Sequence, residues 1–122
     1  MLEIKPIQTK EEQERLCGEC GVCFDADTLC YAAYSDGRFV GITQFAIRGR
    51  KGYIFSIANK TGVDDADALF VAGRSALNFI DLCGITDSYC QADADEGLIK
   101  RIGFRKTGDG EWYINTKGFF TS

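Results

Sequence analysis

The sequence has no histidine, one proline, one tryptophan and no excess of positive charge. Fourteen Lys and Arg against eighteen Asp and Glu leave a net charge of -4. Nucleic-acid phosphates are held by clustered, surplus Lys and Arg, so this balance argues against a nucleic-acid partner. The one basic cluster, Arg48, Arg50 and Lys51 around Gly49, reads as a solvated hairpin tip. No apolar run approaches membrane-spanning length, and the start Met1–Pro6 lacks a signal peptide's apolar stretch. The expectation is therefore a cytoplasmic protein with no membrane association. In that compartment its six cysteines are reduced thiols rather than a disulfide framework. Pro-rich linkers, low-complexity tracts and repeats are also missing, so residues 1–122 read as a single domain. What is present suffices for a core without cross-links: 45% of residues are hydrophobic and 26% charged, close to average globular usage.

The order of elements follows from pattern and punctuation. Leu2 and Ile4 alternate with polar neighbours and predict a short strand ending near Pro6. Thr9-Lys10-Glu11-Glu12 is a capping box opening a helix from Lys10 to about Cys17. Leu29–Ser35 reads as a strand, Asp36-Gly37 as a tight turn and Phe39–Ile47 as the returning strand. A turn over 48–52 leads to a third strand, Tyr53–Ala58, completing an antiparallel meander. Asp64, Asp65 and Asp67 place carboxylates where the positive end of a helix dipole favours them. They open a long helix whose apolar face includes Leu69, Phe70, Leu77 and Ile80 and which stops before Gly84. Asp87–Ala92 predicts a strand, Asp95–Ile102 a short helix ending at Gly103, and Phe104 the start of another strand. Trp112, Ile114 and then Phe119 continue the sheet. The step from Tyr53 through the long helix to Tyr89 is expected to be a right-handed crossover between parallel neighbours, all other pairings being antiparallel. The fold class is α+β: a mixed, mostly antiparallel sheet with helices on its faces.

That order resembles the GNAT acyltransferase superfamily over essentially the whole chain. The residues that carry the resemblance are Leu98-Ile99-Lys100-Arg101-Ile102-Gly103-Phe104-Arg105, similar to the family's late helix-to-strand segment ending in Gly-Phe. Asp36-Gly37-Arg38-Phe39-Val40-Gly41 is similar to its hairpin into the third strand. The resemblance implies an acyl-CoA N-acyltransferase-like fold, acetyl-CoA or another acyl-CoA as cofactor, and transfer of the acetyl group to a small-molecule or peptide amine. It implies a splay between the strands flanking the long helix, with the acyl donor beside Ile57, Ala58 and Asn59. It also implies a pyrophosphate on backbone amides at the helix start, with Thr61, Gly62 and Ala66 as candidates. The chain departs from the family pattern there. The family's pyrophosphate loop carries a base and glycines, whereas residues 64–69 here hold three carboxylates, no glycine and no base. The family's glutamate base is replaced by Phe55 and Ser56, and its tyrosine acid by Ile99. Ser56, Tyr89 and Cys90 are the candidate catalytic residues, with Asp93 beside them.

Cys17-x2-Cys20-x2-Cys23 followed by Cys30 is the remaining motif. Thiolates at this spacing can wrap a metal, but zinc sites pair two separate Cys-x2-Cys units and iron–sulfur runs have a closer fourth cysteine. The preferred reading is four free thiols, with no metal. Three function classes stand: an acetyltransferase, a catalytically silent binding or dimerisation module on the same scaffold, including a homodimer, and a cysteine-based metal or redox site.

Overall fold

The computed structural model describes residues 1–120. The chain runs β1 (Leu2–Pro6), α1 (Lys10–Glu19), β2 (Leu29–Ser35), β3 (Arg38–Arg48), β4 (Lys51–Asn59) and α2 (Ala66–Leu82). It continues with β5 (Asp87–Cys90), α3 (Glu96–Ile102), β6 (Arg105–Lys106) and β7 (Trp112–Asn115). The strands form one sheet in the order β1-β2-β3-β4-β5-β7-β6. Among the described residues only the β4–β5 pairing is parallel. The mixed, mostly antiparallel sheet and the crossover through α2 are those expected from the sequence.

Local chemistry explains the joints. Thr9 Oγ1 accepts the Glu12 amide and starts α1. Asp36 and Gly37 both have positive φ, 51° and 81°, as the tight hairpin between β2 and β3 requires. Asp65 caps α2 through the Ala68 amide and Asp95 caps α3 through the Leu98 amide. The buried side of α2 (Leu69, Ala72, Gly73, Ala76, Leu77, Ile80) recurs at helical spacing and packs on Phe45, Ile54, Ile57 and α3. On the opposite face α1 covers a smaller core of Leu16, Cys17, Cys20, Cys30 and Ile42.

Several sequence expectations shift, the following with a clear physical reason. The long helix begins at Ala66 rather than Asp64, because Asp65 is spent as its cap. The strand after it ends at Cys90 instead of Ala92, where ladder bonding with β4 stops. Phe104 is a buried core residue ahead of β6, its amide closing α3 on the Ile99 carbonyl. Phe119 lies outside the sheet, in a turn where its amide returns to the Thr116 carbonyl.

One irregularity matters for the site. The β3–β4 register pairs Phe45 with Ile54 but Gln44 with Ser56, so Phe55 is an inserted residue. Such a bulge shifts the alternation of faces. Ahead of it Gly52 and Ile54 face α2; beyond it Ile57 does, while Ser56 and Ala58 turn towards α1.

Candidate functional site

The parallel ladder between β4 and β5 ends with the Gln91 amide on the Ile54 carbonyl at 2.8 Å. β4 nevertheless continues to Asn59, so Phe55–Asn59 runs on with no β5 partner. Amides along a strand point alternately to its two sides. The Lys60 amide points to β3, where it bonds Val40 at 2.9 Å. Those of Ile57 and Asn59 therefore face the opening. Beside this edge, on the α1 face, lies a cavity of about 520 Å³. The loop Cys20–Cys23 walls it on one side, Phe55–Ala58 on another, and Asp93 on the segment leaving β5 on a third.

A buried polar chain supports the β4 wall. Lys10 Nζ donates to Gln13 Oε1 at 3.1 Å, and Gln13 Nε2 donates to Gln44 Oε1 at 2.8 Å. Gln44 Nε2 then donates to Ser56 Oγ at 2.8 Å and to the Cys23 carbonyl at 2.9 Å. Both glutamines are 1% exposed, and burial without partners would cost each amide several hydrogen bonds. Neither was singled out from sequence, because a Gln in a helix or strand ordinarily faces water. The one hint is Gln44 in a strand whose interior is otherwise apolar except for Thr43.

Of the sequence-predicted residues, Ser56, Ile57 and Ala58 line the cavity, as do Cys20 and Cys23. Asn59 instead braces the loop into α2, donating to the Val40 and Asp65 carbonyls and accepting the Asp65 amide. The Thr61 amide is taken by the Glu19 carbonyl at 2.8 Å, Gly62 turns the loop at φ 89°, and Ala66 opens α2. Tyr89 belongs to a row of rings on the sheet face: Phe55–Tyr53 at 5.5 Å, Tyr53–Tyr89 at 5.8 Å and Tyr89–Tyr113 at 5.2 Å. Arg48 lies over Phe55 and Lys51 over Tyr89. Cys90 is buried in the α2-side core and is not brought to the cavity. At the α2 N-terminus the Asp65 carboxylate accepts the Ala68 amide at 3.0 Å. Asp67 pairs with Arg101 of α3 at 2.8 Å, and Arg101 also stacks on Phe70. The gap between α2 and α3 is thus bridged by an ion pair.

Burial raises the thiol pKa of Cys17 from about 9 to about 11, and those of Cys20 and Cys30 to about 12. Among the described residues no cluster of three or more Cys, Asp or Glu is placed to hold a metal ion. In a thiol titration of the native protein, Cys23 and Cys83, the exposed pair, are expected to react promptly, the other four only after denaturation. The pH dependence has a definite sign. Unfolded thiols ionise near 9 and the three buried ones only near 11–12. Over that interval the unfolded state binds fewer protons, so stability falls as pH rises from about 9 to 12. Urea titrations at pH 8 and 10.5 check it.

No family model matches the sequence, and no curated protein does. Solved structures do match in fold. PaiA N-acetyltransferase of Thermoplasma acidophilum, in complex with coenzyme A, is 14% identical with a TM-score of 0.66, over 93% of this chain and 97% of that one. A GNAT family acetyltransferase of Brucella melitensis, in complex with acetyl-CoA, is 13% identical with a TM-score of 0.70, over 94% and 88%. The ribosomal-protein-S18-alanine N-acetyltransferase of Escherichia coli is 11% identical with a TM-score of 0.66, over 93% and 89%. The fold is that of the GNAT acyl-CoA N-acyltransferases. Among the described residues no helix is long and apolar enough to cross a membrane.

Proposed function

We propose that this chain binds an acyl-CoA and transfers its acetyl group to an amine. One observation carries the reading: β4 keeps an unpaired edge, Phe55–Asn59, directly beside a cavity. An extended, amide-bearing arm can add to such an edge as a further strand, taking the amides of Ile57 and Asn59. Its thioester end would then lie by Ser56 and Ala58. The complexes of similar fold with coenzyme A and acetyl-CoA support this choice of ligand. The acceptor amine has room to approach over Phe55 and Tyr89, with Asp93 at the rim of the cavity. Ser56 is the candidate catalytic residue that reaches the cavity; Tyr89 serves the approach, and Cys90 stands behind the sheet.

The phosphate end fits less well. A pyrophosphate on the loop Thr61–Ala66 would compete with Asp65 for the α2 amides and meet Asp64 and Asp67 within about a Debye length. Asp65→Ala is therefore expected to act in two directions. It removes a helix cap, costing about 1 kcal/mol in a denaturant titration. It also frees the helix N-terminus, tightening coenzyme A binding severalfold by calorimetry.

The same carboxylates favour a second reading, a silent binding module on this scaffold, with Asp65 and the Asp67–Arg101 pair holding the ligand path shut. Titration calorimetry with acetyl-CoA up to millimolar concentration separates the two. Saturable binding supports the acyltransferase, and no heat leaves the module.

A further inference from the structure

We infer that Gln44 is a positioning residue that sets the polarity of the site, turning Ser56 into a hydrogen-bond donor aimed at an acyl carbonyl oxygen. The inference rests on the acyl-CoA reading for its ligand but on the polar chain for its geometry.

The orientation of the Gln44 carboxamide is decided by groups that have no choice. The Cys23 carbonyl can only accept, so the group 2.9 Å from it is the Gln44 NH2. The Asp25 amide can only donate, so the group 3.0 Å from it is the Gln44 oxygen. Gln13 agrees independently: the Lys10 ammonium, a pure donor, claims its oxygen and leaves its NH2 for Gln44. The Gln44 NH2 therefore donates to Ser56 Oγ. That contact uses a lone pair of the serine and leaves its proton unspent. Among the described residues no acceptor takes the Ser56 proton, and Ser56 lines the cavity. The bulge at Phe55 is what brings Ser56 to this face. A donor held this way, with its own oxygen already accepting, is suited to a carbonyl oxygen that gains negative charge. It is unsuited to accepting a proton from an ammonium.

The test compares acetyl-CoA with coenzyme A by calorimetry on the full chain. The wild type is expected to prefer acetyl-CoA about fivefold, the worth of one hydrogen bond. Gln44→Glu places an acceptor where the NH2 was, draws the Ser56 proton to itself and brings the preference to about one. Ser56→Ala does the same. General damage to the fold lowers both affinities together and leaves their ratio, so an unchanged ratio in Gln44→Glu overturns the inference. Side-chain amide NMR of the wild type reads the orientation without any ligand and without the Gln44 variant. One Gln44 Nε2 proton should exchange slowly and shift on Ser56→Ala; absence of that shift also overturns it. If the wild type binds neither nucleotide, the acyl-CoA reading falls, and the NMR result still decides the orientation.

Discussion

Phe104→Ala is expected to destabilise the protein by about 3–5 kcal/mol, the largest effect of any truncation we anticipate. Phe104 is fully buried in the cluster that joins α2, α3, β4 and β7. It follows Gly103, whose φ of 133° reverses the chain at the end of α3, and its amide closes that helix on the Ile99 carbonyl. The ring is therefore held at a fixed backbone position with walls on several elements. Collapse into the space would require moving them together, so most of the cavity would persist and the cost should lie at the upper end of the range. Against a total stability of about 5–15 kcal/mol, such a loss leaves a marginal fold. A urea titration should show a lower midpoint with an unchanged slope. A loss under 1 kcal/mol would mean that α3 repacks freely.

Gly73→Leu should cost about 2–3 kcal/mol, whereas Gly73→Ala should come out near neutral. Gly73 sits inside α2, where alanine would gain about 1 kcal/mol from helix propensity alone. An added Cβ, however, would lie 2.6 Å from Ile102 Cδ1 and 3.3 Å from Ile57 Cδ1. The first neighbour is the tip of a side chain that can turn aside, so one methyl group is absorbed at roughly the cost that propensity returns. A leucine adds three more carbons between two side chains that are themselves buried, Ile102 at 0% and Ile57 at 3% exposure. A turn of the Ile102 tip that admits one methyl group does not make room for them. Ile57 belongs to the open stretch of β4, so the pressure reaches the candidate site. Gly73→Leu is thus expected to weaken acetyl-CoA binding as well as stability, while Gly73→Ala spares both. Paired denaturation and calorimetry on the two variants check this, and a leucine variant as stable as the wild type would contradict the close packing.

Much of the frame was legible because it is written in local rules. Asp36-Gly37, Thr9 with Glu12, and the helical spacing from Leu69 to Ile80 each act over a few residues, so turn chemistry, caps and periodicity locate them. Boundaries were read less well where a residue had a job elsewhere, as with Asp65, whose carboxylate caps the helix it was expected to belong to. Phe119 continued the alternation of Trp112 and Ile114 in the sequence, but Gly118, at φ 73°, turns the chain before it can extend the sheet.

The site was legible only in part. The stretch Ile57–Asn59 was named through family resemblance, and two of its residues line the cavity. The Asn59 side chain braces the loop into α2 while its amide stays on the open edge, a division that depends on the partner strand. Cys90 and Tyr89 are neighbours in sequence yet face opposite sides of the sheet, so one candidate joins the core and the other the ring row.

By itself, then, the sequence determined the succession of elements, the crossover that makes β4 and β5 parallel, and the acidic start of α2. Tertiary structure alone decided where Ser56 stands and what it bonds to. A bulge at Phe55 moves it to the α1 face, and a chain from Lys10 through Gln13 and Gln44 ends in a donor to its Oγ at the cavity wall. Lys10 and Ser56 are 46 positions apart in the chain. Local propensities cannot carry a hydrogen-bond direction over that distance; only packing α1 against the sheet brings its donors and acceptors into contact.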